Sequence, residues 1–158
     1  MTIIRLTVVA DIPAVVRLTV AENGGSPEAF EARLQKDLAL AERYTVVADN
    51  DGQVLGFGRV RHFEPDRDAP VNVAPTGFYL NGLIVVPEHR GQGLGSRLTE
   101  ARIAWVAERA SQAWYFTDAA NEVSIRLHAN LGFREVTRDF TFPGAGPEAG
   151  VLFQLDLA

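Results

Sequence analysis

The sequence predicts an α/β fold: a mixed, mostly antiparallel sheet with helices on both faces, in a single domain over residues 1–158. Three observations carry this expectation. Apolar residues gather in short strand-like runs, separated by stretches in which they recur at helical spacing. A helical stretch separates the run at 78–86 from the run at 113–117, and such a crossover joins parallel neighbours. Elsewhere the connections are hairpin-like, Asp49-Asn50-Asp51-Gly52 above all, and these join antiparallel neighbours.

Taken in order, Ile3 to Val9 reads as a strand. Asp11 is placed to cap a helix that carries Pro13 in its first turn and runs to about Glu22, where Asn23-Gly24-Gly25 breaks it. Ser26-Pro27-Glu28 starts a second helix with a cap, an N1 proline and an acidic first turn, and Phe30, Leu34, Leu38 and Ala41 follow at helical spacing. Strands are expected at Tyr44–Ala48 and Val54–Phe63. Phe78 to Val86 is almost wholly apolar, as a central strand buried on both faces would be, and Pro87 ends it. A helix begins near Gly93 with Leu94, Leu98, Ala101 and Trp105 as its stripe; Ile103 falls on the opposite side, as if the helix were covered twice. Ala113 to Thr117 is the next strand. Asn121 caps a short helix that closes at Gly132. Phe133–Phe142 and Val151–Leu157 read as a last pair of strands across a glycine- and proline-rich loop at 143–150.

Composition excludes several classes. With no cysteine there is no disulfide framework, thiolate metal site or cysteine nucleophile, and no metal site is expected. No signal peptide is visible at Met1-Thr2-Ile3-Ile4-Arg5, and the longest apolar run, Leu83-Ile84-Val85-Val86, spans no membrane, so a cytoplasmic protein is the default. The net charge of −5 and the lack of a dense Lys/Arg cluster argue against a nucleic-acid partner. The same acidity suits a cationic small molecule, or nothing beyond solubility.

The informative stretch runs from Leu83 to Leu98: a central strand, the turn Arg90-Gly91-Gln92-Gly93-Leu94-Gly95-Ser96, then a helix. The first N–H groups of a helix lack internal partners and lie at the positive end of its dipole, a ready anion site. Three glycines at alternate positions remove the Cβ atoms that would keep a diphosphate from those N–H groups, and Arg90 adds a positive charge. The spacing is neither that of a dinucleotide-binding turn nor that of a nucleotide-triphosphate loop. The alternative is a tight strand-to-helix turn with no ligand.

Arg90-Gly91-Gln92-Gly93-Leu94-Gly95 resembles the Arg/Gln-x-x-Gly-x-Gly/Ala signature of the GNAT superfamily of N-acetyltransferases. Leu83 to Arg90 resembles the family's lead-in, and Asn121 to Phe133 resembles its second signature. The resemblance implies a GNAT-like sheet with a central splayed parallel strand pair, and acetyl-CoA as cosubstrate. It implies the pyrophosphate on the amides from Gln92 to Ser96 beside Arg90 and Gly91, and the pantetheine arm along Leu83, Ile84 and Val85, with Gly82 permitting the close approach. Asn121 would bind the arm, or act as a plain helix cap. The acceptor would be a small-molecule primary amine, held by the Glu22–Pro27 turn and the 143–150 loop. The resemblance leaves a homodimer open.

Direct transfer needs an amine freed of its proton, a donor to the oxyanion and a route for the thiolate. The N–H of Val85 is the candidate oxyanion donor. His128 stands where the family usually has a tyrosine acid. It shares a stripe with Asn121, Ser124 and Ile125, and acts as proton donor, as a contact to CoA, or as a packed ring. Asn81 stands where some relatives have a carboxylate, and an amide cannot take a proton, so Asp118 is the leading base candidate, with Glu22, Glu28, Glu64 or a water chain as alternatives. A non-catalytic acyl-CoA sensor, a longer acyl donor and a protein or peptide acceptor are the rival readings.

Overall fold

The computed structural model describes residues 1–145 and 150–157; Glu148, the charged residue of the last loop, lies outside them. The elements are β1 (Thr2–Leu6), α1 (Ile12–Asn23), α2 (Pro27–Ala39), β2 (Arg43–Asn50), β3 (Gln53–Phe63), β4 (Gly77–Val85), α3 (Leu94–Ala107), β5 (Gln112–Thr117), α4 (Glu122–Asn130), β6 (Arg134–Thr137) and β7 (Val151–Asp156). The strands form one seven-stranded sheet in the order β1-β2-β3-β4-β5-β7-β6. Only β4 and β5 run parallel, as the helical crossover between them requires. No helix among the described residues is long and apolar enough to cross a membrane.

Alternation along the strands sends side chains to two helical layers. Val47 and Phe57 face α1 and α2, packing on Ile12, Val15 and Leu34. Val46, Ala48 and Leu55 face the other way, onto Leu94 and Leu98 of α3. Val60, Leu80 and Tyr115 continue that second layer against Val106. The β2–β3 hairpin closes through Asp51 and Gly52, both at positive φ (51° and 94°), the backbone a two-residue hairpin turn demands.

Four expectations need correction. β1 stops at Leu6 because the Asp11 carboxylate folds back to accept the Val8 N–H and both Arg5 Nη groups, at 2.8–2.9 Å. Asp11 therefore makes no side-chain cap for α1. Ser26 does cap α2, accepting from the Ala29 N–H. On α3 the fully buried line is Leu94, Leu98, Arg102 and Val106, not Leu94, Leu98, Ala101 and Trp105; Ile103 and Trp105 both flank the cluster around Val106, so the helix is covered once. Finally, β6 ends at Thr137, whose hydroxyl accepts the Asp139 N–H in a tight turn, and β7 inserts between β5 and β6. Phe140 and Phe142 lie beyond the strand and pack on Tyr79 and Trp114.

Candidate active site

The parallel pair is barely a pair. β4 and β5 are in register at Phe78↔Ala113 and Tyr79↔Trp114 and nowhere beyond. β5 stays bonded to β7 as far as Thr117, and β4 to β3 as far as Val85, so a gap opens between them from Leu80 and Tyr115 onward. Val86 donates its N–H to Leu55 on the β3 side, at 2.9 Å. Alternation along the strand then turns the N–H and C=O of Val85 toward the gap.

An element that sequence reading missed holds this edge in shape. The β3–β4 register shifts between Phe57 and Arg59, and Gly82 sits at φ +69° opposite the shift, a left-handed conformation that favours glycine. A Cβ there would lie 3.0 Å from the Arg59 Nε, so Gly82 answers to the bulge and to Arg59, whatever ligand approaches. From the α3 side, the fully buried guanidinium of Arg102 donates to the carbonyls of Arg59 and Asn81, both at 3.3 Å, and to Thr99 Oγ1 at 2.8 Å. No carboxylate lies among its hydrogen-bond partners. Burial pushes its pKa down to about 9, which still leaves it charged at neutral pH.

At the end of β4 the chain passes through a 3-10 turn at Pro87–His89 into the glycines. Gly91 and Gly93 take positive φ (76° and 84°) with open space where a Cβ would stand. The first helical bond of α3 runs from Arg97 N–H to Gly93 O, so the N–H groups of Leu94, Gly95 and Ser96 have no partner within the helix. Gln92 and Ser96 flank them; Gln92 is exposed and Ser96 half-buried. Gly95 differs: its absent Cβ would meet Leu127 Cδ1 of α4 at 2.9 Å, so this glycine lets α3 and α4 approach each other. Arg90 is not a free charge. Its Nε donates to Val85 O (2.9 Å) and its Nη2 to Glu22 of α1 (2.8 Å), which ties the mouth of the gap to the opposite helix layer. Leu83 packs toward Leu94 and Leu98, and Ile84 faces α1 and α2.

His128 is 1% exposed and stacks on Tyr115, ring centroids 3.5 Å apart at 4°. Its Nδ1 lies 2.8 Å from Ser124 O, a carbonyl that only accepts, so the proton is on Nδ1 and Nε2 carries a lone pair with no partner. Burial pushes its pKa down to about 4 against the Ser124 hydrogen bond, and the Arg102 charge adds to the fall. The ring is neutral at pH 7. The Tyr115 hydroxyl bonds the Ser124 hydroxyl beside it. Asn121 caps α4 by accepting the Ser124 N–H (3.2 Å), and its amide donates to Thr117 Oγ1 (3.3 Å). Asp118 turns back onto the Ala120 N–H (2.8 Å) in the exposed turn leading to α4. Of the other carboxylates considered as bases, Glu22 is paired with Arg90 and Glu28 bonds Ser26.

The α1–α2 face of the gap holds a second surprise. Asn81 and Phe116 lie on either side of it and line an open cavity of about 460 Å³ whose other walls carry Arg33, Lys36, Arg43, Arg59 and Arg61 around Asp37, the one carboxylate among its described lining residues. Arg59 and Arg61 alternate on β3 and so share a face, a signal present in Arg59-Val60-Arg61, but the rest come from α2 and β2 and converge only in three dimensions.

Known proteins resemble this chain in sequence and in fold. The chain is 30% identical over 114 residues to a mycothiol acetyltransferase of Acidothermus cellulolyticus, covering 66% of this chain and 34% of that protein, so it spans about a third of that relative's length. It is 33% identical over 116 residues to the aminoglycoside N(6')-acetyltransferase type 1 of Serratia marcescens, covering 72% of this chain and 78% of that protein. In three dimensions it resembles a GNAT-superfamily phosphinothricin acetyltransferase of Sinorhizobium meliloti solved with acetyl-CoA, with a TM-score of 0.75, 20% identity, and 99% and 89% of the two chains covered. Residues 13–133 match the model of the acetyltransferase (GNAT) family, and by that match the chain belongs to this family of acyltransferases.

Proposed function

We propose that this chain moves the acetyl group of acetyl-CoA directly to a primary amine of a small molecule. The observation that carries the reading is the unpaired edge of β4, which runs straight into the free N–H groups at the start of α3. The residues fit the donor. Gly91 and Gly93 leave the approach to those N–H groups open, where a diphosphate would be held, and Leu83, Ile84 and Val85 offer an extended edge to a pantetheine arm. Acetyl-CoA supplies the acetyl group as a thioester.

The chain's own contribution is positioning and polarity. Val85 N–H, aimed into the gap, donates to the oxygen that gains charge as the amine nitrogen bonds the acetyl carbon and the carbon–sulfur bond breaks. The ammonium must first lose a proton. With Asn81 at the gap and no free carboxylate beside it among the described residues, that proton goes to solvent, and the CoA thiolate takes its own from solvent. His128 has no place as acid, because its one proton is committed to Ser124 O. Asp118 has none as base, because its carboxylate serves the turn before α4.

The test is thiol release from acetyl-CoA against a panel of primary amines, followed over pH. Turnover should rise with pH as the amine deprotonates, with one slope and no plateau near the pKa of a carboxylate base. CoA binding by calorimetry together with no turnover on any amine would overturn the enzymatic reading and leave a sensor.

A further inference from the structure

We propose that the acceptor carries an acid group: the cavity behind the gap holds a carboxylate or similar oxyanion of the amine substrate, while Asn81 Oδ1 receives an N–H of its amino group. The proposal rests on the acetyltransferase reading and names its substrate class. It runs against the net charge of −5, which points to a cationic acceptor.

The local charge has the opposite sign. Among the described residues, five cationic side chains and one carboxylate line this cavity. Asp37, 3% exposed, is already shared: Arg43 Nη1 donates to one oxygen at 2.8 Å and Arg59 Nη1 to the other at 3.0 Å. Among the described residues nothing comparable answers Arg61. Its guanidinium lies 4.9 Å above the Phe142 ring, and its Nε is buried without a hydrogen-bond partner. Burial and then the charge of Arg59 press the Arg61 pKa downward, the signature of a crowded cation that an anion would relieve. Arg33 stands over Phe30 and carries no ion pair among the described residues.

A second orphan belongs to another residue that lines this cavity. Asn81 Oδ1 is buried with no donor among the described residues, although its backbone carbonyl is held by Arg102. An amide oxygen accepts from an ammonium or amine N–H and takes no proton from it. An unpaired acceptor on Asn81 and an unpaired guanidinium donor on Arg61, both on residues lining one cavity, therefore match the two ends of one small molecule, an amine and an acid. Phe116 and Phe142 supply apolar walls between them. Guanidinium groups suit such an anion because they present a planar fork of donors and stay charged.

The experiment compares matched amines that differ only in the acid group: ornithine with putrescine, phenylalanine with phenethylamine, and 4-aminobutyrate with butylamine. Thiol release is measured for wild type and for Arg61→Gln. The expected result is a kcat/KM at least tenfold higher for an acid-bearing member than for its partner. In Arg61→Gln the KM of that acid-bearing amine should rise at least tenfold, with the KM for acetyl-CoA unchanged. A second readout needs no turnover: succinate and inorganic phosphate, titrated into the CoA-loaded protein and followed by NMR, should bind saturably to wild type and lose that binding in Arg61→Gln. Equal or faster turnover of the amines without an acid group, or non-saturable responses to both anions, would overturn the proposal. Saturable anion binding without turnover of any amine would instead support the pocket and overturn the acetyltransferase reading.

Discussion

Two regions of this molecule offer positive charge to a ligand, and they are built from different chemistry. The turn at 90–96 uses backbone: N–H groups at the head of α3, exposed because Gly91 and Gly93 hold a left-handed conformation. The cavity on the other face uses side chains, guanidinium groups drawn from α2, β2 and β3 around one shared carboxylate. A backbone site is contiguous, fixed by φ and ψ, and indifferent to what surrounds it. A side-chain site is assembled across the fold and depends on burial and on neighbours for its charge. The gap between β4 and β5 is where the two meet, one on each side of the sheet.

Arg102 should show the largest effect, since it acts on the edge both regions share. Its guanidinium satisfies the carbonyls of Arg59 and Asn81 at the β3–β4 bulge. Arg102→Met removes a desolvated charge but also removes the donor that both carbonyls share, at about 1–3 kcal/mol for each. A net loss of about 2–4 kcal/mol is expected in urea unfolding, with faster amide exchange at Asn81–Val85. Unchanged stability would mean that the bulge holds without the arginine.

The backbone region separates from the side-chain region through its glycines. A non-glycine residue in the left-handed region costs about 1–2 kcal/mol. Gly91→Ala with Gly93→Ala should thus lose about 2–4 kcal/mol for the two positions together, remain folded, and bind CoA more than tenfold more weakly by calorimetry. Gly95→Ala is the control: its new methyl presses on the flexible end of Leu127, at 2.9 Å, and makes an ordinary contact with Leu83 at 3.9 Å. Its CoA affinity should stay within about threefold, the limit of what a shifted side chain explains at roughly 0.6 kcal/mol. A double variant with wild-type CoA affinity would remove the turn from the binding site.

The same contrast decides what the sequence made legible. The strand, turn and helix from Leu83 to Leu98 are one uninterrupted stretch, and Asn121 to Phe133 is another, so order along the chain was enough to place them. The parallel crossover followed from a connection rule. The α3 stripe was misread because its centre is Arg102, and a search for apolar periodicity passes over a buried arginine. The cap at Asp11 failed because Arg5, in the preceding strand, claimed the carboxylate first. The arginine cavity was hidden for a further reason. Its charges sit in a chain of net charge −5, and no sum over the sequence reports which of them share a wall.

The smallest catalytic effect should come from His128, where sequence position and environment point in opposite directions. By position it replaces the family's acid. By environment it is a neutral ring between Tyr115 and Phe133, its proton given to Ser124 O. A proton donor contributes about 10²–10⁴-fold to a rate; a packed ring contributes none. His128→Phe preserves the stack, so its kcat should stay within about threefold of wild type, far below that range. The ring should show itself in stability instead. Its pKa falls from 6.5 in the unfolded chain to about 4 in the fold. Between those values the unfolded chain binds more protons, so stability falls as pH drops through the window, and above the unfolded value the term vanishes. The full shift corresponds to roughly 3 kcal/mol. Asp11 and Asp49, held below the usual carboxylate range by Arg5, add their own acid sensitivity, so only the difference between wild type and variant isolates the histidine. The variant should gain stability relative to wild type as pH falls from about 6.5 toward 4, because the phenylalanine has no proton to gain. Curves that stay parallel, combined with a hundredfold fall in kcat, would return His128 to the chemistry and show that a bound thioester reopens the ring to the gap.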